Sequence, residues 1–508
     1  MTQKYIEKIL SARVYDVAIE SPLDSAKRLS TRLDNQILLK REDLQPVFSF
    51  KLRGAYNKLF QLSRKKELKG VIAASAGNHA QGLALAASQL GVKATIVMPK
   101  TTPRIKVDAV RSYGAKAVLV GDTFDEASVH AYELAEEDGL DFIHPYDDPD
   151  VIAGQGTIAV EILRQYPEDI DAIFVPVGGG GLIAGISVFI KYLRPEIKVI
   201  GVEPADAACL AAAMQKNRRV VLNEVGLFAD GVAVKQIGRE TWRVAKDTVD
   251  EVITVDTDEI CAAIKDIFDD TRTIMEPAGA LAVAGIKKYV AEKNVSQQTM
   301  VAINSGANMN FDRLRHVSER AELGEKREGL IGVTIPEEPG SFLRFCRLIG
   351  KKGITEFNYR YADDSKAHVF AGVQLADGAV ELAELTAKLK DKGYSVLCMS
   401  DNEMAKLHVR YMVGGHANHI ENEVLYRFEF PERPGALLDF LAHIGKRWNI
   451  SMFHYRNHGA AYGRVLVGLQ IPAEERNEIK SFLDELGFHW WDESENPAYQ
   501  MFLGAISK

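Results

Sequence analysis

Lys51 stands in the segment Ser49-Phe50-Lys51-Leu52-Arg53-Gly54-Ala55, an amine flanked by two apolar side chains. Most lysines so placed carry the ammonium out to water. One held away from water has a lowered pKa and a free amine able to attack a carbonyl carbon. A second segment, Ser75-Ala76-Gly77-Asn78-His79-Ala80-Gln81-Gly82, follows the apolar run from Gly70 to Ala74 and opens a helical pattern. Its backbone N–H groups, at the positive end of a helix dipole, suit a carboxylate or a phosphate; a plain capped turn would read the same. His79 is a tempting base, yet a histidine in a first helical turn is more often packed or capping, and its type alone gives it no proton-transfer role. Third, Pro176-Val177-Gly178-Gly179-Gly180-Gly181-Leu182 joins a buried strand pattern to an apolar helix. Four consecutive glycines cost conformational entropy in such a turn, but they let the backbone approach an anion closely with its N–H groups free. A phosphate cradle is therefore favoured over a hinge.

Loops of this kind need a scaffold. Up to about residue 322, short β-branched runs alternate with longer helical patterns, which predicts a parallel sheet with helices on both faces and ligands in the loops that follow the strands. Ala172 to Ile190 is a nineteen-residue stretch without a charge, long enough to raise a membrane span. Pro176 and the glycines would break such a helix in its middle, so strand, turn and helix are expected instead, with no membrane partner. From Asp312 to Gly329 the chain is dense in charge and reads as a solvated helix or a connector.

Beyond it lies an internal repeat. Ile335 to Gly350 matches Phe430 to Gly445 at an offset of 95, and after a one-residue slip Ile354, Phe357, Tyr359 and Arg360 match Ile450, Phe453, Tyr455 and Arg456 at 96. Each copy reads strand, Pro-Gly turn, helix, strand, strand, helix, strand, a ferredoxin-like α+β unit. The alternating aromatics Phe357, Tyr359, Phe453 and Tyr455 are expected in the core. The expected domains are residues 1–322, 323–402 and 423–496.

At 508 residues the chain exceeds one hydrophobic core. Its net charge of −8 leaves no basic footprint for nucleic acid. Cys209, Cys261, Cys346 and Cys398 form no Cys-x-x-Cys pair and read as buried thiols in a reducing compartment. The N-terminus lacks the apolar core of a signal peptide, which makes the cytoplasm the expected location.

Lys51, the Ser75–Gly82 loop, the tetraglycine, Glu276-Pro277-Ala278-Gly279-Ala280 and Asn304-Ser305-Gly306-Ala307-Asn308 occur in an order and spacing that resemble the fold-type II pyridoxal-phosphate enzymes, and specifically the serine/threonine dehydratases. The paired C-terminal units resemble the ACT-like regulatory domains of the biosynthetic threonine dehydratases. That resemblance implies a catalytic domain of two open α/β subdomains followed by two regulatory ones. It implies that Lys51 holds pyridoxal 5'-phosphate covalently beside Phe50, that Asn78 bonds the phenolic oxygen, that Gly178, Gly179, Gly180, Gly181 and Leu182 cradle the phosphate, and that Ser305 faces the ring nitrogen. Ser75, Ala76, Gly77, Asn78 and His79 would surround the substrate carboxylate. No metal is expected; Asp230 and Glu203 could contribute to a cation site, but their spacing specifies none.

The implied reaction is β-elimination and deamination of L-threonine, with L-serine as a second substrate, as the first step of isoleucine biosynthesis. Isoleucine would inhibit and valine activate through the C-terminal units, near Pro339-Gly340 and Pro434-Gly435, in a homotetramer. Competing readings are a serine-selective dehydratase, a threonine synthase, or an amino-acid sensor whose enzyme part has lost its activity.

Overall fold

The computed structural model describes the chain except residues 1, 312, 351, 361–364, 377, 403–404, 407–408, 413–416, 418–419, 432–435, 445–446, 457–461, 486–487, 498, 500–502 and 504–508. It divides into two compact units, Met1–Gly324 and Glu325–Lys508.

The first unit holds two open sheets. A four-stranded, all-parallel sheet has the order β5-β4-β3-β6, built from β3 (Val71–Ala74), β4 (Ala94–Met98), β5 (Lys116–Leu119) and β6 (Asp141–Phe142). A six-stranded sheet has the order β1-β2-β10-β7-β8-β9, from β1 (Leu23–Ser25), β2 (Gln36–Arg41), β7 (Ala172–Pro176), β8 (Lys198–Pro204), β9 (Glu251–Val255) and β10 (Thr299–Asn304). All its pairings are parallel except that of β1 at the edge. The β3, β7 and β10 strands read as continuous apolar runs because helices cover both faces.

Four helices position the site: α1 (Lys51–Ser63), α2 (Asn78–Leu90), α3 (Pro149–Gln165) and α4 (Gly181–Leu193). Three more close the unit: α5 (Thr257–Thr271), α6 (Pro277–Lys293) and α7 (Arg313–Gly324). The uncharged stretch from Ala172 thus forms β7, the glycine turn and α4. Among the described residues no helix is long and apolar enough to cross a membrane. The charge-dense segment after Asp312 forms α7, which buries Val317, Arg320, Ala321 and Leu323 and ties itself to α5 through Arg320–Asp258 at 2.8 Å and Glu322–Lys265 at 2.5 Å. Apart from the buried, ion-paired Arg320, its charges lie on the outer face of an amphipathic helix, and the compact unit ends at Gly324.

The second unit contains both repeats. The first is β11 (Glu328–Pro336), α8 (Ser341–Ile349), β12 (Ile354–Arg360), β13 (Lys366–Gln374), α9 (Gly378–Asp391) and β14 (Ser395–Cys398). The second is β15 (Glu423–Pro431), α10 (Ala436–Ile444), β16 (Asn449–Arg456), β17 (Tyr462–Gln470), α11 (Arg476–Glu485) and β18 (His489–Asp492). The two copies form one continuous antiparallel sheet, β14-β11-β13-β12-β16-β17-β15-β18. The seam pairs Phe357 with Tyr455 and Tyr359 with Phe453, and all four lie in a single apolar core that runs through both copies. Gly340 takes φ +85° at the turn into α8, a conformation that favours glycine; Pro434-Gly435 lies outside the described residues. Of the four thiols, Cys209, Cys261 and Cys346 are buried, but Cys398 is exposed. It sits in β14, a strand at the edge of the sheet whose outward residues face solvent.

Candidate active site

The site residues gather at the C-terminal ends of three parallel strands. After β10, Ser49 bridges Gly306 and the Phe50 N–H donates to the Ser305 carbonyl at 3.2 Å; these contacts anchor the first turn of α1. Lys51, partly buried there, donates from Nζ to the Pro145 carbonyl at 3.1 Å and lies 5.3 Å from the Phe50 ring centre. Burial lowers its pKa to about 8, against the opposing pull of the Glu276 carboxylate. About a tenth of such amines are unprotonated at pH 7, on the order of 10²-fold more than for a free lysine.

After β3, the Gly77 N–H donates to Ser75 Oγ at 3.3 Å, and α2 opens on Gly77 with no side-chain cap. Among the described residues the N–H groups of Asn78, His79 and Ala80 have no partner, which is the arrangement an anion needs. The His79 side chain turns the other way: it is buried, its Nε2 sits 2.9 Å from the Ile143 carbonyl, and burial together with the Lys51 charge lowers its pKa to about 3. It stays neutral, so what it offers at the loop is its backbone.

After β7, the N–H groups of Gly178 to Leu182 likewise have no partner among the described residues, at the start of the thirteen-residue α4. Side chains are excluded here on steric grounds. A Cβ on Gly178 would come within 2.9 Å of the Val232 backbone and one on Gly179 within 2.3 Å of the Tyr146 ring, while Gly180 has φ +90°. Thr241 Oγ1 fixes the turn by donating to the Gly179 carbonyl at 2.7 Å. A cradle of unspent amides, narrow enough to demand glycine, fits a phosphate. Ser305, at the end of β10, donates to the Ala278 carbonyl at 3.3 Å. The adjoining Asn304 is fully buried, with neither side-chain atom bonded.

The segments Glu276-Pro277 and Asn304–Asn308 stand out in the sequence, but Glu276 and Asn308 carry no role there. Asn78 Nδ2 donates to Glu276 Oε1 at 2.5 Å and Asn78 Oδ1 accepts from Asn308 Nδ2 at 2.7 Å. The two partners fix which way the Asn78 amide points, and Nδ2 keeps a second N–H to donate. Burial, helped by the Asp230 charge, raises the Glu276 pKa to about 7, with the Asn78 hydrogen bond opposing. The candidate cation ligands are otherwise engaged. Glu203 accepts from the N–H groups of Leu210 and Ala211, both at 2.8 Å, and Asp230 pairs with Lys106 at 2.8 Å and Arg313 at 3.4 Å.

A lysine amine facing an amide-lined phosphate cradle is the equipment of a pyridoxal-phosphate enzyme, and the comparisons agree. Residues 14–306 match the family described as pyridoxal-phosphate dependent enzyme, and residues 319–409 and 414–503 each match the C-terminal regulatory domain of threonine dehydratase. The chain is 56% identical to the biosynthetic L-threonine dehydratase of Burkholderia multivorans, over 98% of this chain and 99% of that one. It is 55% identical to that of Escherichia coli, over 98% and 97%. Among solved structures, the processed form of threonine deaminase isoform 2 from Solanum lycopersicum is 53% identical over 63% of this chain and 93% of that one, with a TM-score of 0.62. The serine racemase of Dictyostelium discoideum is 32% identical over 61% and 99%, with a TM-score of 0.56. The chain belongs to the biosynthetic threonine dehydratase family of pyridoxal-phosphate-dependent enzymes.

Proposed function

We propose that the chain deaminates L-threonine to 2-oxobutanoate and ammonia, the committing step toward isoleucine, and accepts L-serine as a second substrate. The observation that carries this reading is the partly buried Lys51 amine, its pKa lowered to about 8, in a site whose strands lead into two uncapped helix N-termini with unpartnered amides. When bound, pyridoxal phosphate supplies the electron sink for charge developing at the substrate Cα.

The chain's own residues do the rest. Lys51 would hold the cofactor, and its amine, with a pKa of about 8, would be the base for the substrate Cα proton. The amides of Asn78, His79 and Ala80, with Ser75 Oγ beside them, receive the substrate carboxylate, and those of Gly178 to Leu182 receive the phosphate. Asn78, oriented by Glu276 and Asn308, would donate to the cofactor's phenolic oxygen. Ser305 would offer the ring nitrogen a neutral hydroxyl, a partner that, unlike a carboxylate, does not stabilise charge on that nitrogen. Glu203 and Asp230 are engaged by backbone and ion-pair contacts, and no metal role is assigned to them. The enzyme works in the cytoplasm as a homotetramer. Its domains are residues 1–322, 323–402 and 423–496, with the compact catalytic unit reaching two residues further, to Gly324.

Isoleucine binds the paired repeats and inhibits, and valine opposes it. Each effector must therefore bind two conformational states unequally. The test follows 2-oxobutanoate from L-threonine, with and without isoleucine, in the full chain and in a chain cut after Gly324. A cut after Asn310 would remove α7, whose Val317 and Ala321 belong to the catalytic core. The full chain is expected to be inhibited and the shortened one to be active but insensitive. No oxo acid from threonine would overturn the substrate, and inhibition of the shortened chain would overturn regulation through the repeats.

Ala76 bears on the racemases with which the fold is shared. Racemisation needs a proton donor on the face of Cα opposite Lys51, and the Ala76 methyl group can offer none. Chiral chromatography of L-serine incubated with the enzyme is expected to show pyruvate and no D-serine; accumulating D-serine would show that another residue serves that face.

A further inference from the structure

The amides of Asn78 to Ala80 and those of Gly178 to Leu182 stand behind strands of different sheets, β3 of the four-stranded one and β7 of the six-stranded one. Both sets must meet one substrate and one cofactor, so the separation of the two sheets has to be held. Between Lys216 and Arg239 runs a long connection whose one piece of regular structure is the helical turn Asp230–Val232. A connection of that length inside a compact unit is commonly a functional one.

The turn packs on the six-stranded side. Ala229 and Val232 lie in one apolar core with Phe174 of β7 and Ala278 of α6. A Cβ on Gly231 would come within 3.0 Å of the Ala278 Cβ, 3.7 Å of Glu276 Oε1 and 3.9 Å of Asn78 Nδ2, and Val232 already abuts Gly178 of the cradle. The turn therefore touches both the cradle and the Asn78–Glu276 hydrogen bond. Two cations grip its aspartate. Arg313 of α7 lies 3.4 Å from Asp230 Oδ1 and donates to the Phe228 carbonyl at 2.9 Å, which ties the turn to its own side. Lys106 Nζ meets Oδ2 at 2.8 Å and comes from the other side. It belongs to the helix Arg104–Ser112, whose Val107 and Val110 share a core with Ala80, Leu83 and Ala84 of α2. The Lys106 side chain is 14% exposed and that of Asp230 35%, so this pair is screened less than one on the open surface. A second bridge from the same connection, Lys235 to Asp125 at 3.1 Å, is largely exposed and contributes little. The charges at the turn are felt inside the site: Asp230 raises the proton affinity of Glu276, and Lys106 and Arg313 lower it.

We propose that the Asp230–Val232 turn is a clasp across the cleft between the two sheets, and that Lys106 and Asp230 are positioning residues whose ion pair keeps the carboxylate-receiving amides of α2 at their working distance from the phosphate cradle. The role rests on the threonine reading above. Neither residue touches the reacting atoms. Without the pair, the four-stranded side is free to move off the cradle, and the substrate carboxylate is met less well. The phosphate, received on the six-stranded side alone, is met as before.

The test compares full-length holoenzyme with Lys106→Met, Asp230→Asn and the double variant, reading KM and kcat for L-threonine and, separately, cofactor affinity by absorbance. Each single variant is expected to raise KM about tenfold with kcat changed less than about threefold, the pattern of lost binding common to substrate and transition state, and to keep its cofactor. The double variant is expected to match the more impaired single one, because the same pair is lost in all three. Lys106→Arg, which keeps the charge, is expected to bring KM back. Salt at about 1 M, where screening reaches in to about 3 Å, is expected to raise the KM of the unaltered enzyme toward that of Lys106→Met and to leave that variant's own KM in place, which a packing role would not do. Asp230→Asn is nearly isosteric and decides the matter if Lys106→Met fails to fold. An unchanged KM in a folded variant, or a double variant whose KM multiplies both effects, would overturn the clasp and leave the threonine reading intact. Absence of oxo acid from threonine with the unaltered enzyme would overturn the threonine reading, and this role with it.

Discussion

Replacement of Lys51 by alanine is expected to lower threonine turnover by about 10²–10⁴-fold or more, the range for loss of a positioned acid–base group, and to abolish covalent retention of the cofactor. Neither nearby histidine can substitute. His79 is turned to the Ile143 carbonyl and held neutral, and His144 Nδ1 is already occupied, accepting from the Asp147 N–H at 2.8 Å. The readouts are 2-oxobutanoate release at saturating threonine and the visible absorbance that survives dialysis. In the unaltered enzyme the amine, with a pKa of about 8, loses its proton as pH rises, so cofactor capture by the apoenzyme should accelerate toward pH 8 and level off above it. An alanine variant keeping a sizeable part of its activity would remove Lys51 from the mechanism.

Arg53, two residues on, carries the second large effect, this time on stability. Its guanidinium is fully buried, bonded to Glu42 at 2.8 Å and to Glu161 at 2.5 Å, while Lys40 meets Glu161 at 2.6 Å and the Ser21 carbonyl at 2.6 Å. Two carboxylates balance two cations, all four fully buried. Arg53→Met leaves one buried carboxylate uncompensated, which typically costs about 3–5 kcal/mol. Urea unfolding is expected to show that loss, and the double variant Arg53→Met, Glu42→Gln, which restores neutrality, is expected to be the more stable of the two. If the double variant is instead the less stable, buried charge is not the source of the effect. The cluster joins α1 to α3 and to the chain following β2, so it holds the helix that presents Lys51.

What the sequence disclosed about the site follows from how its parts are made. Lys51, the Ser75–Gly82 loop and the tetraglycine are each a contiguous segment after a strand, and a strand's apolar run with a glycine turn behind it is visible locally. The Glu276–Asn78–Asn308 chain is not, because its members lie 198 and 230 residues apart and only the closing of both sheets brings them together. The same holds for Arg53 with Glu42 and Glu161. The repeat announced two ferredoxin-like copies, yet their merger into one sheet depends on the pairing of β12 with β16, which no local pattern encodes. The charge of α7 concealed an inner face only four residues deep.

The seam between β12 and β16 also bears on how such a chain can change through descent. Two duplicated domains with separate cores can drift apart or be lost singly. Here Phe357, Tyr359, Phe453 and Tyr455 belong to one interior, so deleting either copy would strip the other of its partner strand and expose its aromatic face. Loss of one copy alone therefore carries a stability cost that separate cores would not impose. Selection could still act independently on the faces turned away from that interior, where the first copy keeps Gly332 beside a hollow and the second carries Arg427 stacked on Trp491.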